Sequence, residues 1–338
     1  MAMTIYDISK KAGVSIATVS RVLNGSENVR PSTRKKVMDV IDKYDYTPNA
    51  FARGMGLHSL KTIGILCADS SDLFLAKAVY FLEQELQANG YESLLCCTGY
   101  NLDIKKNYLN LILSKKVDSI ILVGSHFIGF NEDENQYIKD VSTQVPIMLL
   151  NASFDHPNVY STLCDDYGTM FEATAEMIQA GITDILYLYD SKSYSGLKKL
   201  HGFRDAMKEH NIPGFEKLIH FYDGNIEHLD EIADFVADIA KKGAPFHGIM
   251  TSDDSLAIGS IKYAQKKGIR IPEDLSVMGY NNSMLTNCCT PELTSVDNRL
   301  ETQTHQLVQT LLGVLAGEEM PKKSIFSGKI IKRGTTLF

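Results

Sequence analysis

The chain has 338 residues, of which 44% are apolar and 22% charged, a composition that excludes a disordered or low-complexity protein and exceeds one typical domain. Its net charge of −7, taken alone, argues against a nucleic-acid partner. The charge is uneven, however: residues 1–61 carry 10 Lys+Arg against 5 Asp+Glu (+5) and the other 277 carry 24 against 36 (−12), the balance of a basic head on an acidic body.

The first elements are short. Thr4 and Asp7 form a T-x-x-D capping box for a helix through about Ala12, and Gly13 permits the left-handed turn that ends it. Ser15 caps a second helix with Val19, Val22 and Leu23 on its inner side. A third runs from about Pro31 to Tyr44, with Val37, Val40 and Ile41 closing the small core. Helix, glycine turn, helix is the arrangement whose second helix enters the DNA major groove. Ile16, Ala17 and Arg21 would then face the bases. Arg makes a bidentate contact to guanine; Ile and Ala offer only apolar contact, as to a thymine methyl. Thr18 and Ser20 suit phosphates, and Thr4, Ser15 and Asn24 complete the DNA-facing set.

The stretch "TIYDISKKAGVSIATVSRVLN", continued by "VRPSTRKKVMDVIDKYDYTPN", resembles the head of the LacI/GalR family of bacterial transcription regulators almost position for position. The resemblance assigns the next segment, "YTPNAFARGMG", to the family's hinge, a short helix that folds on DNA and wedges an apolar side chain into the minor groove. By that match Asn49 and Arg53 approach the backbone or groove, and Met55 holds the wedge position. Gly54 and Gly56 each cost a helix about 1 kcal/mol relative to Ala, so the hinge is expected to order only on DNA.

From Lys61 the pattern changes to buried strands ("TIGILC", "YESLLCC", "VDSIILVG", "VPIMLLN") alternating with helices of ten to fifteen residues. A second run starts near Asp165 with "TDILYLYD", "EKLIHFY", "FHGIMTSDD" and "LSVMGYNN" as its strands. Alternation of this kind builds doubly wound parallel sheets. The expected fold is therefore an all-α helix-turn-helix head plus an α/β core of two such lobes. By resemblance this is the periplasmic-binding-protein-type core of the same family, with the family likeness covering essentially the whole chain. The expected domains are a DNA-binding head over 1–47, a hinge over 48–60 and a core over 61–338. Its first lobe spans about 61–161 and 292–325, its second about 162–291 and 326–338.

Ligands bind beyond the carboxyl ends of such strands. The candidates there are Asp69, Asp72 and Phe74 after the first strand, Ser125 after the third and Asn151 after the fourth. In the second lobe they are Lys199, Asp253 and Asn281, with Asp254 read as a helix cap and Asn282 as a turn residue. Tyr222 stands near a position where the family often has a cleft aromatic. The family pattern has Arg at position 199, Asn-Asp at 253–254 and Asp-Asp or Asp-Glu at 281–282, so this sequence departs from it three times. Lys offers one mobile charge where Arg offers a fork, and Asn281 both donates and accepts where Asp only accepts. The carboxylate of Asp253 restores one acceptor, as if charge had been relocated within the pocket.

The resemblance implies a homodimer formed through helix 75–89 and the segment around 275–290. The chain ends at Phe338 without a heptad extension, which favours a dimer over a tetramer. It also implies a palindromic double-stranded operator, and a sugar-like effector that shifts the population of DNA-competent hinges. The rival reading is a degenerate pocket controlled by a protein partner, for instance an acidic protein meeting Lys198 and Lys199. Met1 is followed by polar helical pattern and not by an export signal, and no apolar run reaches the ~18 residues of a membrane span, so a cytoplasmic location is expected. The six cysteines lack C-x-x-C spacing and are expected to be reduced, mostly buried thiols. No metal site, cofactor or catalytic motif stands out, so enzyme activity is not expected.

Overall fold

The computed structural model describes residues 3–23, 26, 28–46, 59–243 and 245–338. The head and the core are separate compact units. In the head, α1 (Ile5–Ala12), α2 (Ile16–Leu23) and α3 (Pro31–Lys43) enclose Ile8, Val19, Val22, Val37 and Ile41. The capping box closes at both ends: Thr4 N and Thr4 Oγ1 donate to Asp7 Oδ2 at 2.9 and 2.7 Å, and Asp7 N donates back to Thr4 Oγ1 at 3.4 Å. Gly13 ends α1 at φ 65°, a conformation its missing Cβ makes cheap. Ser15 Oγ accepts from Thr18 N at 3.2 Å and starts α2.

The first lobe's sheet is built from β1 (Thr62–Cys67), β2 (Glu92–Cys97), β3 (Ser119–Val123), β4 (Ile147–Leu150), β5 (Val159–Cys164) and β11 (Lys323–Phe326), in the order β11-β5-β4-β3-β1-β2. Helices α4 (Leu73–Ala88) and α11 (Leu300–Leu315) cover one face, where Leu75, Leu82, Leu307 and Leu311 meet Ile63 and Ile65. Further helices in this lobe are α5 (Leu102–Ser114) and α6 (Gln136–Ser142).

The second sheet holds β6 (Ile185–Tyr189), β7 (Ile219–Phe221), β8 (Gly248–Thr251), β9 (Ser276–Tyr280), β10 (Thr294–Asp297) and β12 (Lys329–Ile331), in the order β12-β10-β9-β8-β6-β7. Only β12 runs antiparallel to its neighbour. Helices α7 (Asp166–Gln179) and α8 (Tyr194–Glu209) pack around Met170, Tyr187 and Phe203; α9 (Leu229–Lys242) and α10 (Asp254–Lys267) pack around Leu186, Ile232 and Leu256 on the other side. Strands buried on both faces explain the near-continuous apolar runs seen in the sequence.

Two boundaries differ from the sequence reading. β10 lies within the stretch 292–325 assigned to the first lobe, yet it pairs parallel with β9 in the second sheet. The chain therefore crosses between lobes at Asn298–Arg299, with Arg299 at φ 59°. β5 extends through the expected boundary at 161/162, so that crossing falls after Cys164. The cysteines also depart from expectation: all six are free thiols, but only Cys67 and Cys164 are buried, while Cys97 and Cys288 are exposed.

Candidate functional site

The head presents one face of α2 outward. Ile16 is 38% exposed, Ala17 and Arg21 are exposed, and Val19 and Val22 are buried on the opposite side. The backbone is thus fixed by the apolar side while three side chains stand free at the helix's outer surface. Thr18 and Ser20 are half-buried, and Thr18 Oγ1 lies 2.9 Å from Ser15 Oγ. Thr4 spends its hydroxyl on Asp7, which keeps it at the cap. Tyr6, 66% exposed at the start of α1, is an outward aromatic that the sequence reading passed over; the spacing of Ile5, Ile8 and Ala12 already puts it on the outer face. Asn24, Asn49, Arg53 and Met55 lie outside the described residues.

In each sheet of the core, strand order reverses at one point, between β1 and β3 in the first and between β6 and β8 in the second. A crevice opens at such a switch point because the flanking connections leave to opposite faces. The loops from both switch points meet across one cavity of about 80 Å³. Asp72, Phe74, Ser125 and Asn151 line it from the first lobe; Lys199, Asp253 and Asn281 line it from the second.

Each of these side chains has a definite local cause. Asp72 caps α4, accepting from Leu75 N at 2.8 Å; burial pushes its carboxyl up, and the Asp253 carboxylate adds to the shift. Asn151 turns the chain after β4 at φ 65°. Asp253 caps α10 by accepting from Ser255 N at 2.7 Å, and its other oxygen accepts from Asn281 Nδ2 at 2.8 Å. Asn281 Oδ1 accepts in turn from Asn298 Nδ2 at 3.0 Å, so a chain of amides runs from the interlobe crossing to the cavity carboxylate. Burial, then the neighbouring Asp190, pushes the Asp253 carboxyl up as well.

Lys199 is only 7% exposed. Its Nζ donates to Ser252 O at 3.0 Å and sits 3.9 Å from the centroid of the Tyr280 ring. Behind it, fully buried Tyr280 donates to Asp166 Oδ1 at 2.7 Å and Ser195 donates to Asp166 Oδ2 at 2.6 Å. The ammonium is thus held by the second lobe's own groups at the cavity wall. A surface patch of Lys198 and Lys199 does not exist.

Three assignments from the sequence change. Tyr222 is buried in the second lobe's core and donates to Asn225 O at 3.4 Å; the three-residue β7 ends before it, and it supports a loop without lining the cavity. Asp69 accepts from Ser71 N and Ser71 Oγ, both at 2.8 Å, and faces the outer mouth of the cleft. Asp254, expected to cap α10, leaves that role to Asp253; it is buried, accepts from Ser295 Oγ and Ser283 N at 2.6 Å each, and has its carboxyl pushed up to about 7 by burial and by Asp253. Asn282 does serve as a turn residue, at φ 48°, with its Oδ1 accepting from Arg333 at 2.8 Å.

The sequence reading missed His126, Asp190, Ser193 and Ser252. Asp190 follows β6 and Ser252 follows β8, and Asp190 accepts from Ser252 Oγ at 2.7 Å, so the strand-end rule would have found both. Ser193 caps α8 and accepts a 2.8 Å hydrogen bond from Ser125 Oγ across the cleft. Burial, then Lys105, pushes the His126 imidazole down to about 4, which leaves it neutral near pH 7. The cavity wall is therefore rich in acceptors and hydroxyls, with one ammonium. Such a wall matches a molecule carrying many hydroxyl groups and no strong negative charge. Among the described residues no cluster of His, Cys, Asp or Glu is placed to hold a metal, and no helix is long and apolar enough to cross a membrane.

Residues 4–49 match the bacterial regulatory proteins of the lacI family, and residues 174–336 match the periplasmic binding protein-like domain. The chain is 51% identical over 336 residues to an HTH-type transcriptional regulator of Lachnoclostridium phytofermentans, covering 99% of this chain and 100% of that one. It is 33% identical to catabolite control protein A of Priestia megaterium, over 88% of this chain and 87% of the relative. Its fold is that of the lac repressor dimer bound to operator and the anti-inducer ONPF, with TM-score 0.86 at 21% identity and both chains fully covered. It also superposes on a CelR–cellobiose complex with TM-score 0.69 at 21% identity, over 98% of this chain and 99% of that one. The helix-turn-helix head, the two-lobed core and these relatives together establish that the chain belongs to the LacI family and is a DNA-binding transcriptional regulator.

Proposed function

We propose that the protein is a cytoplasmic repressor that binds a palindromic operator as a dimer through residues 1–47 and a DNA-ordered hinge at 48–60. A sugar or sugar derivative held between the lobes of the core, 61–338, controls it. The observation that carries this reading is the polar cavity between facing switch points, bridged by the Ser125–Ser193 hydrogen bond, on a chain whose head exposes Ile16, Ala17 and Arg21. A molecule that bonds to both walls binds the closed pair of lobes better than the open pair and so shifts their balance. The CelR–cellobiose complex is a precedent for a sugar in this fold, and the lac repressor dimer on operator for the assembly.

Dimerisation has its own support. Leu73, Tyr80 and Met284 are exposed apolar side chains along one groove, and Leu94 and Leu95 are exposed on the edge strand β2. Exposed apolar side chains of this kind fit a partner subunit. One head reads only a half-site, so a dimer also accounts for a palindrome.

The reading is tested by selecting operator sequences from a random library with purified protein and titrating the selected DNA with and without sugars. Selection of palindromes whose affinity a sugar changes supports it. Selection of single half-sites bound by monomers, or indifference to every sugar that binds the core, refutes it.

A further inference from the structure

The inner cavity is small, but a vestibule of about 1010 Å³ lies beside it. The two share Asp72, His126, Asp190, Ser193 and Asp253 in their walls, so they adjoin each other across these side chains. Two aromatic rings stand at the vestibule: Phe130, 71% exposed, and Tyr100, 54% exposed. An exposed phenyl ring on a loose loop would need no explanation, but this loop is tightly built. Gly129 N donates to Asn135 Oδ1 and Phe130 N to Glu134 Oε2, both at 2.8 Å. Asn131 Nδ2 donates to Glu134 Oε1 at 2.8 Å, and Asn135 Nδ2 returns bonds to Gly129 O and Asn131 O at 3.1 and 2.9 Å. A Cβ at position 129 would lie 2.4 Å from that of Glu134, so glycine is what lets the loop close. Tyr100 is steadied by the edge of His126, whose ring centroid lies 4.8 Å away.

Aromatic side chains presented from a firmly bonded backbone at the mouth of a ligand cavity serve as stacking platforms, because they have few torsions to fix when they bind apolar area. The apolar face of a pyranose ring is the natural partner when the cavity itself accepts hydroxyl groups. The vestibule wall carries five carboxylates, Asp69, Asp72, Asp190, Glu227 and Asp253, against the single ammonium of Lys192. A phosphorylated ligand would meet a wall where carboxyl groups outnumber ammonium groups five to one before it reached Lys199.

We propose that the effector is an unphosphorylated oligosaccharide, with one sugar ring in the inner cavity and at least one further ring stacked in the vestibule against Phe130 and Tyr100. This inference rests on the cleft being the effector site, and it adds a second subsite with its own residues. Position 130 sets the preference for chain length, and position 253 serves the inner ring.

Calorimetric titration of the full-length protein with mono-, di- and trisaccharides of the β-1,4-glucan, α-1,4-glucan, β-1,4-xylan and β-1,4-mannan series, and with glucose 6-phosphate, tests it. The expected result is one series in which the disaccharide binds at least ten-fold tighter than its monosaccharide, with no binding of the phosphate. Phe130→Ala should remove most of that gain, Phe130→Tyr should keep it, and neither should move the monosaccharide affinity or the melting temperature. A monosaccharide that binds as tightly as its oligomers in every series, a preference for the phosphate, or an unchanged ratio in Phe130→Ala overturns the vestibule subsite while leaving the cleft reading intact. Failure of Asp253→Asn to weaken any ligand that binds, or no binding across the panel, overturns the cleft reading and this inference with it.

Discussion

The hydroxyl of Ser125, after the third strand of the first lobe, donates a 2.8 Å hydrogen bond to the hydroxyl of Ser193, the N-cap of α8 in the second. Ser193 also accepts from Ser191 Oγ at 2.8 Å, so a short run of hydroxyls spans the cleft beside the cavity. A hydrogen bond of this kind contributes about 0.5–1.5 kcal/mol. Ser125→Ala removes it without touching the helix cap. Effector affinity should fall by about two- to ten-fold, at 1.4 kcal/mol per decade, with a melting temperature close to that of the unliganded parent. Calorimetry of the liganded protein and a thermal melt of the free protein check the two halves of this expectation.

The Asn281 amide donates a single hydrogen bond to the Asp253 carboxylate. Asn281→Asp places two carboxylates at 2.8 Å spacing and should weaken both stability and effector binding. Adding Asp253→Asn restores one donor and one acceptor, with Asn still able to cap α10. The double variant should therefore recover most of the loss, giving a coupling of about 0.5–3 kcal/mol. Denaturant titration of the four proteins measures it, and strict additivity would refute the pairing.

The Asp254 carboxyl is pushed up to about 7 from an ordinary 3.8. Between those values the folded protein holds a proton that the unfolded chain has released. Stability accordingly falls as pH rises through the window and levels off above about 7. Asp72, Asp166 and Asp253 are shifted the same way, each chiefly by burial. The exposed carboxyls of Asp7, Asp230, Asp238 and Asp274 are shifted down by their hydrogen-bond partners and act only at lower pH. Asp254→Asn should flatten the decline in melting temperature between about pH 5 and 7.5, as thermal melts across that range would record.

On the head, Arg21→Ala should cost operator binding about 1–3 kcal/mol and relax the sequence preference at the position it reads. On the proposed wedge role, Met55→Ala should weaken specific binding more than non-specific binding, because an apolar wedge acts only at a kinked operator centre. Competition binding against non-specific DNA at fixed salt separates the two; equal losses for both DNAs would reject the wedge role of Met55.

Local patterns were legible where the physics is local. The capping box of Thr4 and Asp7, the turn at Gly13 and the buried face of Val19 and Val22 all follow from contacts within a few residues. The strand-end rule reached the cavity wall at Asp72, Ser125, Asn151, Asp253 and Asn281, whereas Lys199, inside α8, came from the family resemblance alone. It went wrong where neighbours in space decide. β5 carries buried Ser161 and Thr162, and β11 is a four-residue edge strand, so neither gave an apolar run to detect. Tyr222 follows a three-residue strand whose register no local signal fixes. The exchange of roles between Asp253 and Asp254 depends on Ser283 and Ser295, which sequence distance hides. Ser193 became visible only once Ser125 stood opposite it.

The central claim is that a ligand in the interlobe cavity governs DNA binding by the head. It is tested most directly by measuring operator affinity, by fluorescence anisotropy on a library-selected operator, with and without a saturating sugar that binds the core, for the parent and for Asp253→Asn. Allosteric coupling of the ordinary size should change the parent's affinity by about 5- to 150-fold, and at the same sugar concentration the variant should respond much less. A parent whose operator affinity is unchanged while calorimetry shows the cavity filled would contradict the account.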